Sequence, residues 1–234
     1  AGSAGGPAAA AAPPNFLEAM LAARDEAGQP FPDEVIKGNL MTMLLAGEDT
    51  TAFTLAWAVH HLCDSPASVA SLRREIDSVI GPSAVPADIE TANRLAYAGG
   101  VANEALRLRP VAPVLFMESN VETVVGDVLL PAHTVLVTLM RPPVHDPSHF
   151  ADPHAFRPQR WITREGPHEP QTLMPFGSGP RLCPGRTLAL LEMKVLLAAL
   201  YGRFDVDREG DSPAVRERFA FTMSPDGLRV RLRG

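Results

Sequence analysis

Residues 31–63, FPDEVIKGNLMTMLLAGEDTTAFTLAWAVHHLC, constrain the fold of this chain more than any other stretch. Pro32 and Asp33 give a helix start, and Glu34 lies in the first turn, where the helix dipole favours a carboxylate. The apolar pattern then continues to about Cys63, which predicts a helix of about 45 Å at 1.5 Å per residue. From Leu40 to Val59 it is apolar nearly all round, the mark of a helix buried in the centre of a domain. With 234 residues, 46% hydrophobic and 21% charged, the composition is globular and long enough for one large or two small domains.

The flanks read as follows. AGSAGGPAAAAAPP, residues 1–14, is a low-complexity linker or loop, and residues 15–234 hold the packed part. NFLEAMLAARDEAGQ predicts a short amphipathic helix ending at Gly28. A second helix follows Ser65-Pro66 and stops at Gly81-Pro82, and a third runs from about Arg94 to Leu108, halted by Pro110. ETVVGDVLLPAHTVLVTLM predicts short strands and a hairpin. Eight prolines between Arg141 and Pro175 predict irregular coil. The last helix begins near Pro184 and continues through TLALLEMKVLLAALYGRF. RFAFTMSPDGLRVRL predicts a hairpin turned at Pro225-Asp226-Gly227. The fold class is mainly α with small β-sheets, without an internal repeat.

Bulk properties exclude some functions. A net charge of -6 gives no global attraction to nucleic acid. Two cysteines make no disulfide framework and point to a reducing compartment. No run of 18 apolar residues is long enough to span a membrane. The Ala- and Arg-rich composition points to a cytoplasmic protein of bacterial type.

One of the two cysteines sits where a structural thiol does not belong. Cys63 lies in an apolar helical run, whereas Cys183 lies in FGSGPRLCPGRTLAL, residues 176–190. Pro184 fits the first position of a helix, so Cys183 falls at or just before a helix N-terminus, which favours a thiolate. Gly177, Gly179 and Gly185 let the backbone approach something bulky and flat. Arg181 can pair with a carboxylate of that object, and Phe176 offers an aromatic face beside it.

FGSGPRLCPG matches F-x-x-G-x-R-x-C-x-G and resembles the haem-binding loop of the cytochromes P-450, the haem-thiolate monooxygenases. Five specified residues at a few per cent each coincide by chance in about one window in 10⁷. The resemblance implies haem b, with Cys183 as the axial ligand of the iron, Arg181 paired with a propionate and Phe176 shielding the sulfur. It also gives meaning to AGEDTT, residues 46–51, a polar patch in an apolar helix. Gly47 costs roughly 1 kcal/mol against Ala in a helix interior. Thr50 can return its hydroxyl to the Ala46 carbonyl, loosening and bending the helix, and Asp49 needs a partner if buried. The patch is similar to the family's A-G-x-[acid]-T, which implies that Thr50 and Asp49 relay protons to bound dioxygen while Ala46 and Gly47 line its pocket.

In NEALRLRP, Glu104 and Arg107 share a helix face, and alone they read as an exposed ion pair worth a few tenths of a kcal/mol. FRPQRW follows at a family-like distance, and the resemblance implies a triad of Glu104, Arg107 and Arg160, with Gln159 where the family often has Glu. The resemblance also places Met43, Leu44, Ala46, Val114, Leu115, Phe221 and Thr222 at a substrate pocket, and their apolar character implies a lipophilic substrate. Two further clusters carry little chemistry. His145 and His149 are four apart, but Pro147 and Pro153 disfavour the continuous helix that would set both on one metal. His60, His61 and Cys63 crowd one helix and read as packing and surface residues.

Members of this family are about twice as long, so the expectation is the C-terminal half of such a fold, without the N-terminal half that covers the long helix. The implied function is insertion of one oxygen atom from O2 into a lipophilic molecule. Electrons would come from a separate ferredoxin- or flavoprotein-type donor, because no flavin or nicotinamide segment follows the cysteine loop. Arg73, Arg74, Arg186 and Lys194 are candidate contacts for that donor. A peroxide-driven oxygenase and a non-catalytic haem- or partner-binding fragment are the alternatives, and the Asp49–Thr50 pair argues against the first.

Overall fold

The computed structural model describes residue 13 and residues 15–83, 85–164, 166–210 and 214–234. The expected linker, residues 1–14, lies outside the described residues except for Pro13. Among the described residues the helices are α1 Phe16–Ala22, α2 Asp33–Cys63, α3 Pro66–Val79, α4 Ile89–Asn93, α5 Ala96–Leu108, α6 Arg141–Val144, α7 Arg160–Thr163 and α8 Arg186–Tyr201. The strands are β1 Val114–Glu118, β2 Thr123–Val125, β3 Val128–Leu130, β4 Val135–Leu139, β5 Asp205–Arg208, β6 Arg216–Phe219, β7 Met223–Asp226 and β8 Val230–Arg233. The class is helix-rich with small antiparallel sheets. The chain divides into two units, residues 1–47 and 48–234.

The first unit holds α1 and the N-terminal part of α2. The Asn15 side chain caps α1 by accepting the Glu18 N–H at 2.9 Å. The helix ends at Ala22, short of the expected stop at Gly28. Arg24 donates to the carbonyls of Leu21, Ala22 and Ala23, which satisfies the helix end early. The Asp25 carboxylate then accepts the N–H groups of Ala27 and Gln29 and folds DEAGQ into a turn, with Gly28 at φ 77°. On α2, Met41, Leu44 and Leu45 are 55%, 66% and 64% exposed, the apolar surface expected of this helix without the half of the fold that covers it.

α2 runs unbroken through AGEDTT. The expected bend does not take the form of a break, because hydroxyl return to the i−4 carbonyl is compatible with the helix. Thr42 does this to Gly38 at 2.9 Å and Thr54 to Thr50 at 2.7 Å without ending it.

The core of the second unit joins the last turns of α2 to α3, α5 and α8. Leu62, Leu72, Ile76, Leu95, Met193 and Leu197 are all buried there. Burying each such side chain contributes about 1.5–3 kcal/mol. Ala58, Ala98, Ala102 and Ala105 keep the helices close. Gly100 brings α5 against the chain before α7: a Cβ there would stand 2.6 Å from the Pro158 carbonyl oxygen. A second cluster joins Trp57, Leu106 and Val111, with Phe53, Phe176 and Val215 packed against it. α3 stops before Gly81, whose φ of 69° suits glycine. α4, which the sequence reading left out, starts at Asp88, whose carboxylate accepts the Thr91 N–H at 2.7 Å.

The sheets are two-stranded. β1 pairs antiparallel with β4, Val114 opposite Leu139 and Glu118 opposite Val135. β2 and β3 form the expected hairpin, turned at Gly126 with φ 65°. The C-terminal pairing differs from expectation. β6 pairs with β7 around Ala220–Thr222, not around Pro225-Asp226-Gly227. That stronger turn signal serves a change of partner instead: past Gly227 the chain enters β8, which pairs with β5. From Arg141 to Pro175 the prolines leave mostly irregular backbone, relieved by the short α6 and α7.

Candidate active site

The Cys183 loop is closed by its backbone. Cys183 N–H donates to the Phe176 carbonyl at 2.9 Å, Gly177 N–H to Met174 at 3.0 Å and Leu182 N–H to Gly179 at 3.1 Å. Gly177 and Gly179 take φ values of 72° and 63°, which a side chain would strain. α8 begins at Arg186 with Gly185 before it, so Pro184 is not the first helical residue. Arg186 N–H donates to the Cys183 carbonyl at 3.3 Å, which puts Pro184 second in a four-residue turn, a place its fixed φ also suits. Cys183 is exposed and free, and Cys63 is free and half-buried. A Cβ on Gly185 would lie 3.7 Å from the Cys183 sulfur, and one on Gly179 would meet no described atom within 4 Å. Phe176 is held from behind by the Trp57 cluster. Arg181 is exposed and forms no ion pair among the described residues.

Behind this loop the structure brings Glu104, Arg107 and Arg160 together. Glu104 and Arg107 have side chains 0% exposed and Arg160 2%, so the surface ion-pair reading fails. Glu104 Oε1 accepts from Arg107 Nη2 at 2.8 Å, Arg157 N at 3.0 Å and Arg160 Nε at 3.1 Å. Its Oε2 accepts from Arg107 Nε at 3.0 Å and Trp161 Nε1 at 2.9 Å. The remaining guanidinium donors hold the coil: Arg107 reaches the carbonyls of Val144, Pro153 and Ala155, and Arg160 those of Ala151 and Asp152. The Phe150 ring lies 5.2 Å from Arg107 Cζ and 6.0 Å from Arg160 Cζ. Burial pulls the Arg160 guanidinium below its ordinary value, while Glu104 pulls it back up. One carboxylate thus organises residues 144–161 through backbone carbonyls. Trp161 and the Arg157 N–H are members that the sequence reading missed. The signal for Trp161 was an indole next to Arg160, whose partner only the fold reveals.

The oxygen-motif residues occupy consecutive turns of α2. Asp49 is exposed and Thr50 half-buried in the second unit, and Ala46 and Gly47 close the first. Met43 and Leu44 also belong to the first unit, half-buried and exposed. In the second unit, Val114 and Leu115 open β1 half-buried, Phe221 is 77% exposed at the β6–β7 tip, and Thr222 beside it is buried. That hairpin is pinned from both strands. Trp57 Nε1 donates to the Met223 carbonyl at 3.1 Å, and Glu217 pairs with Arg109 at 3.0 Å and Arg141 at 2.8 Å.

The histidines pack into the scaffold. His61 stacks on Phe156 with ring centroids 5.0 Å apart, and burial, then His60 and nearby arginines, push its pKa down to about 3. His145 meets His154 edge-on, and burial, then His154 and Arg107, push it down to about 4. His149 pairs instead with Glu169 at 2.7 Å. Of the candidate donor contacts, Arg73 is engaged internally with Asp205 at 2.7 Å and the Phe204 carbonyl at 2.6 Å. Arg74 bonds Ser71 on its own helix. Arg186 and Lys194 line one cavity of about 270 Å³.

The sequence model of a family described as Cytochrome P450 matches residues 7–232. A cytochrome P450 93A3 from Glycine max is 37% identical over 199 residues, 81% of this chain and 38% of its own length. A mitochondrial sterol 26-hydroxylase from Oryctolagus cuniculus is 38% identical over 225 residues, 92% of this chain and 41% of its own length. A crystal structure of the cytochrome P450 CYP102L1 superposes with a TM-score of 0.85 at 30% identity, covering 96% of this chain and 51% of that one. The chain spans about half the length of the proteins it matches, or less. Among the described residues no helix is long and apolar enough to cross a membrane.

Proposed function

Because this chain belongs to the cytochrome P450 family, whose members carry haem b, we propose that it forms the cysteine-bearing part of a haem-thiolate monooxygenase. The observation that carries the reading is an exposed sulfur on a backbone-closed glycine loop, braced by a buried carboxylate that holds two arginines.

The residues present fit the cofactor. Cys183 is exposed and free, and the glycine loop leaves room beside Gly179 for a flat ring. Leu182 and Leu188, 43% and 52% exposed, offer apolar surface nearby, and Arg181 offers a positive charge for a propionate. A soft thiolate donor suits iron. Cys183 would then hold the iron through its sulfur, Phe176 would limit water at that sulfur, and Gly177, Gly179 and Gly185 would admit the ring. When bound, the haem supplies one-electron and oxygen chemistry, which a thiolate ligand steers toward O–O cleavage.

The chain's own residues do the rest. Thr50 and Asp49 move protons inward along α2, because the exposed Asp49 carboxylate meets solvent and the Thr50 hydroxyl lies deeper. Ala46 and Gly47 keep that face free of bulk. In the second unit Val114, Leu115, Phe221 and Thr222 contact a lipophilic substrate, and the pinned β6–β7 hairpin fixes the height of Phe221. Electrons come from a ferredoxin- or flavoprotein-type donor. Arg186 and Lys194 are the better contacts for it, since Arg73 is already paired. A cytoplasmic site is supported by composition; the sterol 26-hydroxylase relative is named mitochondrial.

The test is the dependence of product formation in the complete, haem-loaded protein on its electron supply. Product from a lipophilic substrate is expected with reductase and NAD(P)H. Product with hydrogen peroxide but not with reductase would replace this reading by the peroxide-driven one. Haem binding without product under either condition would leave a non-catalytic haem protein.

A further inference from the structure

The five hydrogen bonds to Glu104 come from four residues, and three of these end in the coil of residues 144–160. Trp161 is different. Its indole N–H reaches Glu104 Oε2 at 2.9 Å, and Trp161 borders a cavity of about 300 Å³ whose other walls include Leu173, Met174, Phe176 and Leu182. Those walls are the chain entering the Cys183 loop and the residue just before the sulfur. None of Arg107, Arg157 and Arg160 borders that cavity. The ring has little freedom. It meets His168 edge-on at 5.0 Å and Phe150 at 6.3 Å, and its Cβ would stand 3.6 Å from a Cβ on Gly100 of α5.

We propose that Trp161 is a positioning residue for the cysteine: its N–H fixes the indole to the buried carboxylate, and the ring sets how far the segment 173–182 stands from the triad. The claim rests on the haem-thiolate reading above. Its physical basis is that the two walls of a cleft share one gap, so a shorter side chain on one wall lets the other relax toward it. Removing the N–H leaves Oε2 with Arg107 Nε as its remaining partner and frees the ring to turn. Removing the ring lets Phe176 and Leu182 sink into the space, which moves the adjoining Cys183, whose N–H is bonded to the Phe176 carbonyl.

Trp161→Phe and Trp161→Ala in the complete haem-loaded protein separate the two contributions. The readouts are the Soret band of the reduced carbon monoxide complex, far-red-shifted only while thiolate is the ligand, and the reduction potential. Wild type is expected to give the shifted band with a small unshifted share. Trp161→Phe, which loses the hydrogen bond to the charged group, is expected to raise the share of unshifted band about tenfold, and Trp161→Ala, which loses the ring as well, is expected to raise it further. A purely structural tryptophan would lower the unfolding midpoint in both variants and leave band and potential of the folded protein at wild-type values, and that result overturns the proposal. If Trp161→Ala does not accumulate, Trp161→Phe decides alone: its unshifted share and its reduction potential, read on the folded protein without denaturant, should depart from wild type, and wild-type values of both overturn the proposal. A wild type without the shifted band refutes the haem-thiolate reading itself, an outcome distinct from failure of the Trp161 variants.

Discussion

Replacing Glu104 by Gln tests the claim that one buried carboxylate holds the coil behind the cysteine loop. The substitution keeps shape and volume and deletes the charge. Two guanidinium groups, 0% and 2% exposed, then share a site with no counter-charge. The amide cannot satisfy the donors in either orientation. With its NH2 at the Oε2 position it faces Arg107 Nε and Trp161 Nε1; at the Oε1 position it faces Arg107, Arg157 and Arg160. Removing one partner of such a buried pair costs about 3–5 kcal/mol, against a total stability of about 5–15 kcal/mol. With a denaturant slope near 3 kcal/mol/M for a chain of this size, the urea midpoint falls by about 1–2 M. Arg157→Ala is the control. Its side chain pairs with Asp152 at 2.6 Å, but the two are 31% and 69% exposed, so the change costs at most about 1 kcal/mol. The assay is urea unfolding of the complete protein followed by circular dichroism. A Glu104→Gln midpoint as close to wild type as that of Arg157→Ala would refute the argument.

Other expectations follow from named contacts. The fold keeps His145 and His61 neutral, with pKa values near 4 and 3 against 6.5 for the free side chain. The unfolded chain therefore binds protons first, so stability is full above pH 6.5 and falls as pH drops from there toward 4. His145→Gln should flatten the slope of urea midpoint against pH across that window. Gly100→Ala should destabilise although Ala is the better helix former by about 1 kcal/mol, because its Cβ meets the Pro158 carbonyl oxygen at 2.6 Å; a raised melting temperature would contradict this. Thr50→Ala should raise peroxide release per electron consumed without changing the Soret band of the reduced carbon monoxide complex, measured in the complete protein with its reductase.

Local signals explain what was legible in the sequence. Pro32–Asp33 and the apolar pattern running to about Cys63 made α2 readable, and the helix spans Asp33–Cys63. Gly126 marked the β2–β3 hairpin because only a positive φ closes so short a loop. The tail misled for the same reason in reverse. Pro225-Asp226-Gly227 is the stronger turn signal, but pairing is decided by distant β5, and Ala220–Thr222 turns without glycine. α1 ended early because Arg24 and Asp25 spend their side chains on the backbone, which periodicity does not register. At the site, an E-x-x-R pair alone reads as surface charge; burial comes from Phe150, Arg160 and Trp161, which lie 46–57 residues further along.

The central claim is that Cys183 holds the haem iron through a thiolate. The most direct measurement is the reduced carbon monoxide difference spectrum of the complete protein beside its Cys183→Ala variant. A far-red-shifted Soret band that vanishes in the variant is the predicted result. A shifted band that persists without Cys183, or a complete protein that binds no haem, would contradict the account.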